Sequence, residues 1–202
     1  LWSAVVIGLL GTVLILPLKL LLGLPWAVAS LGGVVVKQPP RGSLEVSFKS
    51  GKLLKNVATT KVYHKEVGAL PLKIAKQLYQ RGLYCPSPGK ITVRLPGPAA
   101  KFQAVYGVDS NRVESFYSNA GRGRVIGGVH LGSRQIFRSP VMREGMKGVA
   151  VDVKLEGATQ FTLSMTDGGG IVERVDFNQS DWADARVEMV NGDVIWLGDL
   201  PV

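Results

Sequence analysis

The chain has 202 residues, of which 46% are apolar and 19% charged, with a formal net charge of +9, two histidines and one cysteine. This length suits one domain plus an appendage, or two small domains. A single cysteine excludes a disulfide-stapled scaffold, a cysteine-rich zinc site and an iron–sulfur cluster, and two histidines leave little material for a catalytic triad.

The first 36 residues are the most apolar part of the chain, with 25 apolar side chains and a single charge, Lys19. As a helix, the uncharged run Leu1–Leu18 reaches roughly 27 Å, close to the thickness of a hydrocarbon core. Trp2 and Trp26 are spaced like two interfacial aromatic belts, and Lys19 is placed to snorkel to the head groups. The pattern predicts a transmembrane helix over Leu1–Leu24 and a surface stretch after it.

A secretory signal peptide is the alternative for this segment. Ala27-Val28-Ala29 before Ser30 fits the small-residue pattern of a cleavage site. We favour an uncleaved anchor that packs against other membrane helices. A buried soluble helix fits least, because the run is too long and too uniformly apolar.

The positive charge is concentrated after the apolar segment. Between Val36 and Ile91 there are eleven Lys and Arg against two Glu, whereas the remainder of the chain is nearly neutral. Basic residues beside an apolar segment favour anionic lipid head groups. Nucleic acid is not an expected partner, since this region has neither a DNA-reading helix nor a stacking platform. We therefore divide the chain into an anchor with an interfacial stretch (1–36), a basic juxtamembrane neck (37–66) and a folded body (67–202).

The body contains many short runs in which apolar and polar residues alternate, most of them bounded by Gly, Pro, Asn or Asp. Such runs at regular spacing predict an antiparallel sandwich. Asn191-Gly192 between two alternating runs predicts a hairpin with a type I′ turn. The expected fold class is all-β, an antiparallel β-sandwich of jelly-roll or galactose-binding-like type with one N-terminal transmembrane helix.

No motif in the chain predicts catalysis or a bound cofactor. Gly121 to Gly127 has the wrong spacing for a dinucleotide loop and precedes a strand. Asp167 to Gly170 offers a single carboxylate, so a turn is favoured over a structural calcium site. We therefore expect no enzyme activity, no cofactor and no metal.

One segment, Asp181-Trp182-Ala183-Asp184, has two interpretations. The first is a sugar platform, in which the indole stacks on a pyranose and the carboxylates accept hydroxyl hydrogen bonds. The second is a buried Trp that closes the sandwich, with the aspartates satisfying backbone N–H groups. We favour the second.

Eight short sequence segments, taken in chain order, resemble the sequence pattern of a known family. The segments are Leu72-Lys73-Ile74, Arg81-Gly82-Leu83-Tyr84, Ile91 to Leu95, Phe102 to Asp109, Phe137 to Met142, Val151-Asp152-Val153, Phe161-Thr162-Leu163 and Asp181 to Ala185. Together they cover Gly68–Leu200 and resemble the NPCBM family (novel putative carbohydrate-binding module). Gly107-Val108-Asp109 and the Asp181 segment carry the resemblance most strongly.

The resemblance implies a β-sandwich outside the cytoplasm that binds glycans and has no catalytic activity of its own. Polar and aromatic positions in and beside the two strongest segments are then the candidates for ligand binding. These candidates are Asp109, Asn111, Asp176, Asn178, Asp181, Trp182 and Asp184.

The chain departs from the family at polar positions. Cys85-Pro86 stands where the family often has His-Ala, and Asn178-Gln179 where it often has Asp-His. We therefore expect a non-catalytic accessory subunit of a larger membrane complex, such as an energy-converting one, with the bilayer and other subunits as partners. A membrane-anchored carbohydrate-binding module is the alternative. The sandwich is expected on the periplasmic or cell-surface side, although the lysines after the apolar segment favour the opposite topology.

Overall fold

The computed structural model describes residues 42–62, 65–111, 123–168 and 178–202, together with two strands at 4–9 and 12–17. These residues fall into two units, Leu1–Pro39 and Pro40–Val202. Among them, the non-β element is a single 3-10 helix at Leu197–Asp199. The strands in chain order are β1 (Ala4–Leu9), β2 (Thr12–Pro17), β3 (Ser43–Phe48), β4 (Leu54–Lys55), β5 (Ala58–Val62), β6 (Lys65–Leu70), β7 (Leu72–Ile74), β8 (Gln77–Tyr79), β9 (Gly82–Pro86), β10 (Gly89–Arg94), β11 (Ala99–Val108), β12 (Val125–Leu131), β13 (Arg134–Arg138), β14 (Val149–Lys154), β15 (Gln160–Asp167), β16 (Gln179–Met189) and β17 (Val194–Trp196).

The first unit contains an antiparallel hairpin, in which β1 pairs with β2. The prediction of a continuous helix over Leu1–Leu24 is therefore wrong for these strands. Six of their twelve residues are β-branched, which favours strands, and Gly8 interrupts any helix there. Within the described parts of the chain, no helix has the length and apolar character needed to cross a bilayer. The predicted anchor residues Trp2, Lys19 and Trp26, and the Ala29-Ser30 junction, lie outside the described residues.

The second unit is a β-sandwich of two antiparallel sheets. The five-stranded sheet has the order β13-β12-β15-β10-β3. The six-stranded sheet has the order β14-β11-β16-β9-β4, and β17 also pairs with β16. This arrangement confirms the predicted all-β antiparallel sandwich.

The sandwich begins earlier than the predicted residue 67. β3 pairs along the whole length of β10, and β4 pairs with β9, so residues assigned to a separate neck supply two edge strands. Leu44 on β3 is buried in the core, whereas Glu45 and Ser47 are exposed. An edge strand with one solvated face accommodates charged residues, which is why a basic composition did not exclude a strand here.

The core lies between the two sheets and is built mainly by side chains that alternate between inward and outward positions along each strand. Ile91 and Val93 of β10 and Leu163 of β15 point inward and are fully buried. Phe102 and Trp182 meet them from the six-stranded sheet. Because burying one such side chain is worth about 1.5–3 kcal/mol, this core provides most of the favourable free energy of folding.

A β-bulge in β16 decides which side chains face outward. Gln103 pairs with Arg186 and Val105 with Ala183, so Ala104 alone faces the two residues between them, Asp184 and Ala185. Asp184 has φ +50°, a left-handed conformation that aspartate tolerates better than most residues. The extra residue shifts the alternation by one. Before the bulge an even-numbered residue, Trp182, faces the core, and after it the odd-numbered residues do.

The β7–β8 hairpin covers part of the outer face of the six-stranded sheet. Ile74 packs over Gly107 of β11, where a Cβ atom would clash with the Ile74 side chain. Leu72 packs against Tyr84 in a small second apolar cluster. Outward-facing residues of β11 and β16 beneath this hairpin are therefore buried.

The predicted hairpin at Asn191-Gly192 is present, with a different turn. Gly192 has φ +89°, whereas Asn191 is not in the left-handed region, so the turn is not type I′. The Gly192 N–H donates to the Met189 carbonyl (3.0 Å) and the Met189 N–H to the Asp193 carbonyl (2.8 Å). The Asn191 amide oxygen accepts the Asp193 N–H (3.1 Å), and this local bond fixes the wider turn.

Candidate functional site

Three of the predicted ligand-binding residues meet beneath the β7–β8 hairpin. The Asn111 backbone N–H donates to Asp109 Oδ1 (2.9 Å), and the Asn111 Nδ2 donates to Asp109 Oδ2 (3.0 Å) and to the Pro71 carbonyl. Asp181 of β16 lies next to Asp109 and is fully buried. The structure therefore brings two aspartates, 72 positions apart in the sequence, into one internal polar contact.

Burial disfavours a negative charge on both carboxyls of this pair. Burial raises the pKa of Asp181 well above its ordinary value, the negative charge of Asp109 adds to the rise, and the backbone N–H of Lys73 partly opposes it. Neither oxygen of Asp181 makes a well-aligned hydrogen bond to an N–H or O–H donor. Burial also raises the pKa of Asp109, although the two N–H groups that Asn111 donates to it partly oppose this rise. The pKa of Asp181 is therefore raised more strongly than that of Asp109, and burial favours a neutral Asp181 carboxyl.

The raised pKa of Asp181 predicts a pH-dependent stability. The pKa of Asp181 is raised in the folded state above about 3.9, the ordinary value for an unfolded aspartate. The stabilising contribution is therefore fully present below the unfolded pKa and is lost as pH rises through the folded pKa. Asp181→Asn keeps the shape and removes this titration, so its free energy of unfolding should fall less with pH than that of the wild type. Urea unfolding from about pH 4 to about pH 8 measures the two slopes.

Asp152→Asn on β14 is the control, because it removes an exposed carboxyl from the same sheet. Parallel wild-type and Asp181→Asn curves over that range would show that Asp181 carries no buried proton.

Asn178 lies apart from this pair, at the start of β16. Its Oδ1 accepts the Arg124 backbone N–H (3.0 Å), and its carbonyl oxygen accepts the Ser87 N–H (2.8 Å). Only 6% of its surface is exposed. Asn178 therefore ties the segments before β12 and after β9 to the sheet. Asp176 lies outside the described residues.

Trp182 is a core residue and does not form a sugar platform. Its indole is fully buried, with the ring centroid 4.5 Å from that of Tyr106 and 6.0 Å from that of Phe102. Its Nε1–H points at Met165 Sδ (3.2 Å). Trp182 is therefore a buried residue that closes the sandwich, as the second of the two interpretations expects. No face of its indole is open for a pyranose to stack on.

Asp184 lies close to residues that were not selected as candidates from the sequence. It is partly exposed on the bulge, and its backbone N–H donates to the Arg81 carbonyl (2.8 Å). Arg81 and Arg186 both lie over the ring of Trp196, which is partly exposed. These two residues meet because the register of the β16–β17 hairpin pairs Arg186 directly with Trp196. The register was the signal that could have identified them. A two-residue type I′ turn would have paired Trp196 with the inward-facing Val187.

No group of three or more His, Cys, Asp or Glu side chains in the described parts of the chain is arranged to hold a metal ion. The Cys85 thiol is fully buried, and burial raises its pKa well above the ordinary value. A buried neutral thiol is a poor nucleophile.

Comparison with solved structures gives the same fold. One match is a structure from Clostridium perfringens ZmpB that contains CBM51-2 in complex with GlcNAc and the INT domains. Its sequence identity is 14% and its TM-score 0.55, over 71% of this chain and 29% of that chain. The CBM51 of Clostridium perfringens GH95, in complex with methyl-galactose, matches with 17% identity and a TM-score of 0.51, over 71% of this chain and 92% of that chain. This chain spans less than a third of the ZmpB structures that it matches.

No curated protein matches the chain. The sequence model of the NPCBM/NEW2 domain family matches residues 44–188, which is most of the chain and nearly all of the sandwich. The chain therefore belongs to the NPCBM/NEW2 domain family.

Proposed function

We propose that the sandwich is a non-catalytic carbohydrate-binding module. The observation that carries the proposal is the family match over residues 44–188, because it covers strands of both sheets rather than one short motif. Two structures of the same fold were solved with sugars, one with GlcNAc and one with methyl-galactose. Since a fold alone does not fix function, the proposal rests on the family together with the polar residues of this chain.

The polar residues of the six-stranded sheet suit a sugar ligand. A glycan is recognised by hydroxyl hydrogen bonds to planar donors and acceptors, together with an apolar contact to an aromatic ring. The partly exposed face around Asp184, Arg186 and Trp196 offers an acceptor, a donor and an indole.

The role of accessory subunit in a membrane complex, expected from the sequence, is not proposed. That role depended on a transmembrane helix over residues that form strands in part. It also depended on departures from the family pattern at Cys85-Pro86 and Asn178-Gln179, and these departures do not prevent a match over residues 44–188. Glycan binding, the alternative in the sequence analysis, replaces it.

A glycan array probed with the labelled full chain tests the proposal. We expect reproducible signals on a subset of glycans that are abolished by the same glycan in free solution. The absence of competed signals from a chain that shows a cooperative unfolding transition would overturn the proposal.

The proposal includes a location outside the cytoplasm, where surface and matrix glycans are found. Protease added to intact cells should degrade the sandwich if this location is right. Complete protection in intact cells, lost when the cells are lysed, would place the sandwich in the cytoplasm instead.

A further inference from the structure

Six side chains form a cluster on the outer face of the six-stranded sheet, beside the bulge in β16. We call this group the Trp196 cluster. Its members are Tyr79, Arg81, Asp184, Arg186, Trp196 and Asp199. The cluster has two arginines and two aspartates, so its formal charge is zero.

Two arginines are held against one indole in this cluster. The guanidinium carbon of Arg81 lies 4.9 Å from the centroid of the Trp196 ring, and that of Arg186 lies 5.6 Å from it. Each contact restricts a long side chain that would otherwise sample many rotamers. The arginines therefore present their N–H groups from fixed positions, which lowers the entropic cost of binding a ligand.

The two arginines differ in what they already bind. Arg81 Nη1 donates to Asp199 Oδ2 (2.8 Å), and Asp199 Oδ1 also accepts from Asn56 Nδ2 (3.2 Å). The Arg186 guanidinium makes only the ring contact among residues 42–62, 65–111, 123–168 and 178–202, with no hydrogen bond or ion pair. Its planar set of donors is therefore available to a ligand.

Asp184 supplies the matching acceptor. Its backbone is fixed by the bulge and by the bond from its N–H to the Arg81 carbonyl. Burial raises the pKa of Tyr79, and the negative charge of Asp184 adds to the rise. Asp184 is separated from Arg186 by one residue of the same strand. The residue between them, Ala185, faces the core, so Asp184 and Arg186 offer an acceptor and a donor on the outer side of one strand.

We propose that the Trp196 cluster is the sugar-binding site and that its ligand is a neutral hexose unit. One ring hydroxyl donates to the Asp184 carboxylate, a neighbouring hydroxyl accepts from the Arg186 guanidinium, and the exposed part of the Trp196 indole contacts the C–H groups of the ring. A charged sugar gains no net attraction, because Arg186 attracts an anionic group that Asp184 repels, and the reverse holds for a cationic group. A charged sugar also loses more hydration on binding than a neutral one does. This assignment rests on the proposed function and adds the position of the site and the charge of its ligand.

Titration of the full chain with N-acetylglucosamine, methyl-galactose and glucuronate, followed by tryptophan fluorescence and calorimetry, tests the assignment. The variants are Arg186→Gln, Asp184→Asn and Trp196→Ala. The matched control is Arg94→Gln, an exposed arginine on the outer face of the other sheet that pairs with Glu45. Urea midpoints of all variants show that each is folded.

We expect the wild type to bind at least one neutral sugar more tightly than glucuronate, with a change in fluorescence. Arg186→Gln and Asp184→Asn should each weaken that binding roughly tenfold, and Arg94→Gln should not change it. Tighter binding of glucuronate, binding of neither neutral sugar, or unchanged binding in all three folded variants would each overturn the assignment. In each of these cases, competed signals on the glycan array would still support carbohydrate binding at another site. An array without competed signals would overturn both the proposed function and the assignment of the site.

Discussion

Trp182→Ala should lower the free energy of unfolding by about 3–5 kcal/mol, the range for truncating a large aromatic side chain in a packed core. Trp182 is fully buried and contacts Tyr106, Phe102 and Met165, which come from strands of both sheets. Removal of the indole leaves a cavity that these neighbours cannot fill. Urea unfolding followed by far-UV circular dichroism measures the change without depending on the lost chromophore.

The control for this prediction is Val194→Ala, because Val194 is 51% exposed on β17. It should change the free energy of unfolding by less than about 0.5 kcal/mol. A loss below about 1 kcal/mol for Trp182→Ala would mean that the indole is solvated in the native protein.

Gly82→Ala should destabilise the protein by about 2–6 kcal/mol, from two separate causes. Gly82 has φ +137°, a conformation almost restricted to glycine, whose strain costs other residues about 1–3 kcal/mol. An added Cβ would also overlap the Trp182 carbonyl oxygen and lie 2.9 Å from the Ala183 Cα. Since those atoms are backbone, they cannot move aside without opening the β9–β16 pair, which adds about 1–3 kcal/mol.

Gly97→Ala is the matched control. A Cβ there meets only the Met189 Cε at 3.9 Å, an ordinary van der Waals distance, and Gly97 has no positive φ. We expect Gly97→Ala to change the free energy of unfolding by less than about 0.5 kcal/mol, and therefore to keep a urea midpoint close to that of the wild type. Equal midpoints for the two glycine variants would contradict the geometry of the β9–β16 pair.

Much of the fold could be predicted from the alternation of apolar and polar residues. That pattern depends only on one face of each strand being buried, so it marked β10, β11 and β15 correctly. The N-terminal segment differs, because a uniformly apolar run has no period. Length and hydropathy favoured a helix there, whereas the β-branched residues of β1 and β2 favoured the strands that form.

The polar contacts could be predicted only in part. The family resemblance selected Asp109 and Asp181, but their contact depends on the β7–β8 hairpin, which buries them on the outer face of the sheet. The same resemblance selected Trp182 as a ligand candidate. However, the alternation of side chains before the bulge directs the Trp182 side chain into the core. No local pattern predicts a bulge at Asp184.

The Trp196 cluster depends on a one-residue register. Arg186 meets Trp196 because the turn at Asn191-Gly192 is wider than the predicted type I′ turn. A one-residue shift in pairing reverses which side chains share a face, so the sequence alone would have separated this pair. The residues with which we locate sugar binding thus follow from turn geometry rather than from a motif.

The most direct test of carbohydrate binding is isothermal titration calorimetry of the full chain with the glycan that gives the strongest competed signal on the array. The account predicts a saturable heat that fits one glycan per chain and is retained in Val194→Ala. A heat that rises linearly with glycan concentration and never saturates would contradict it.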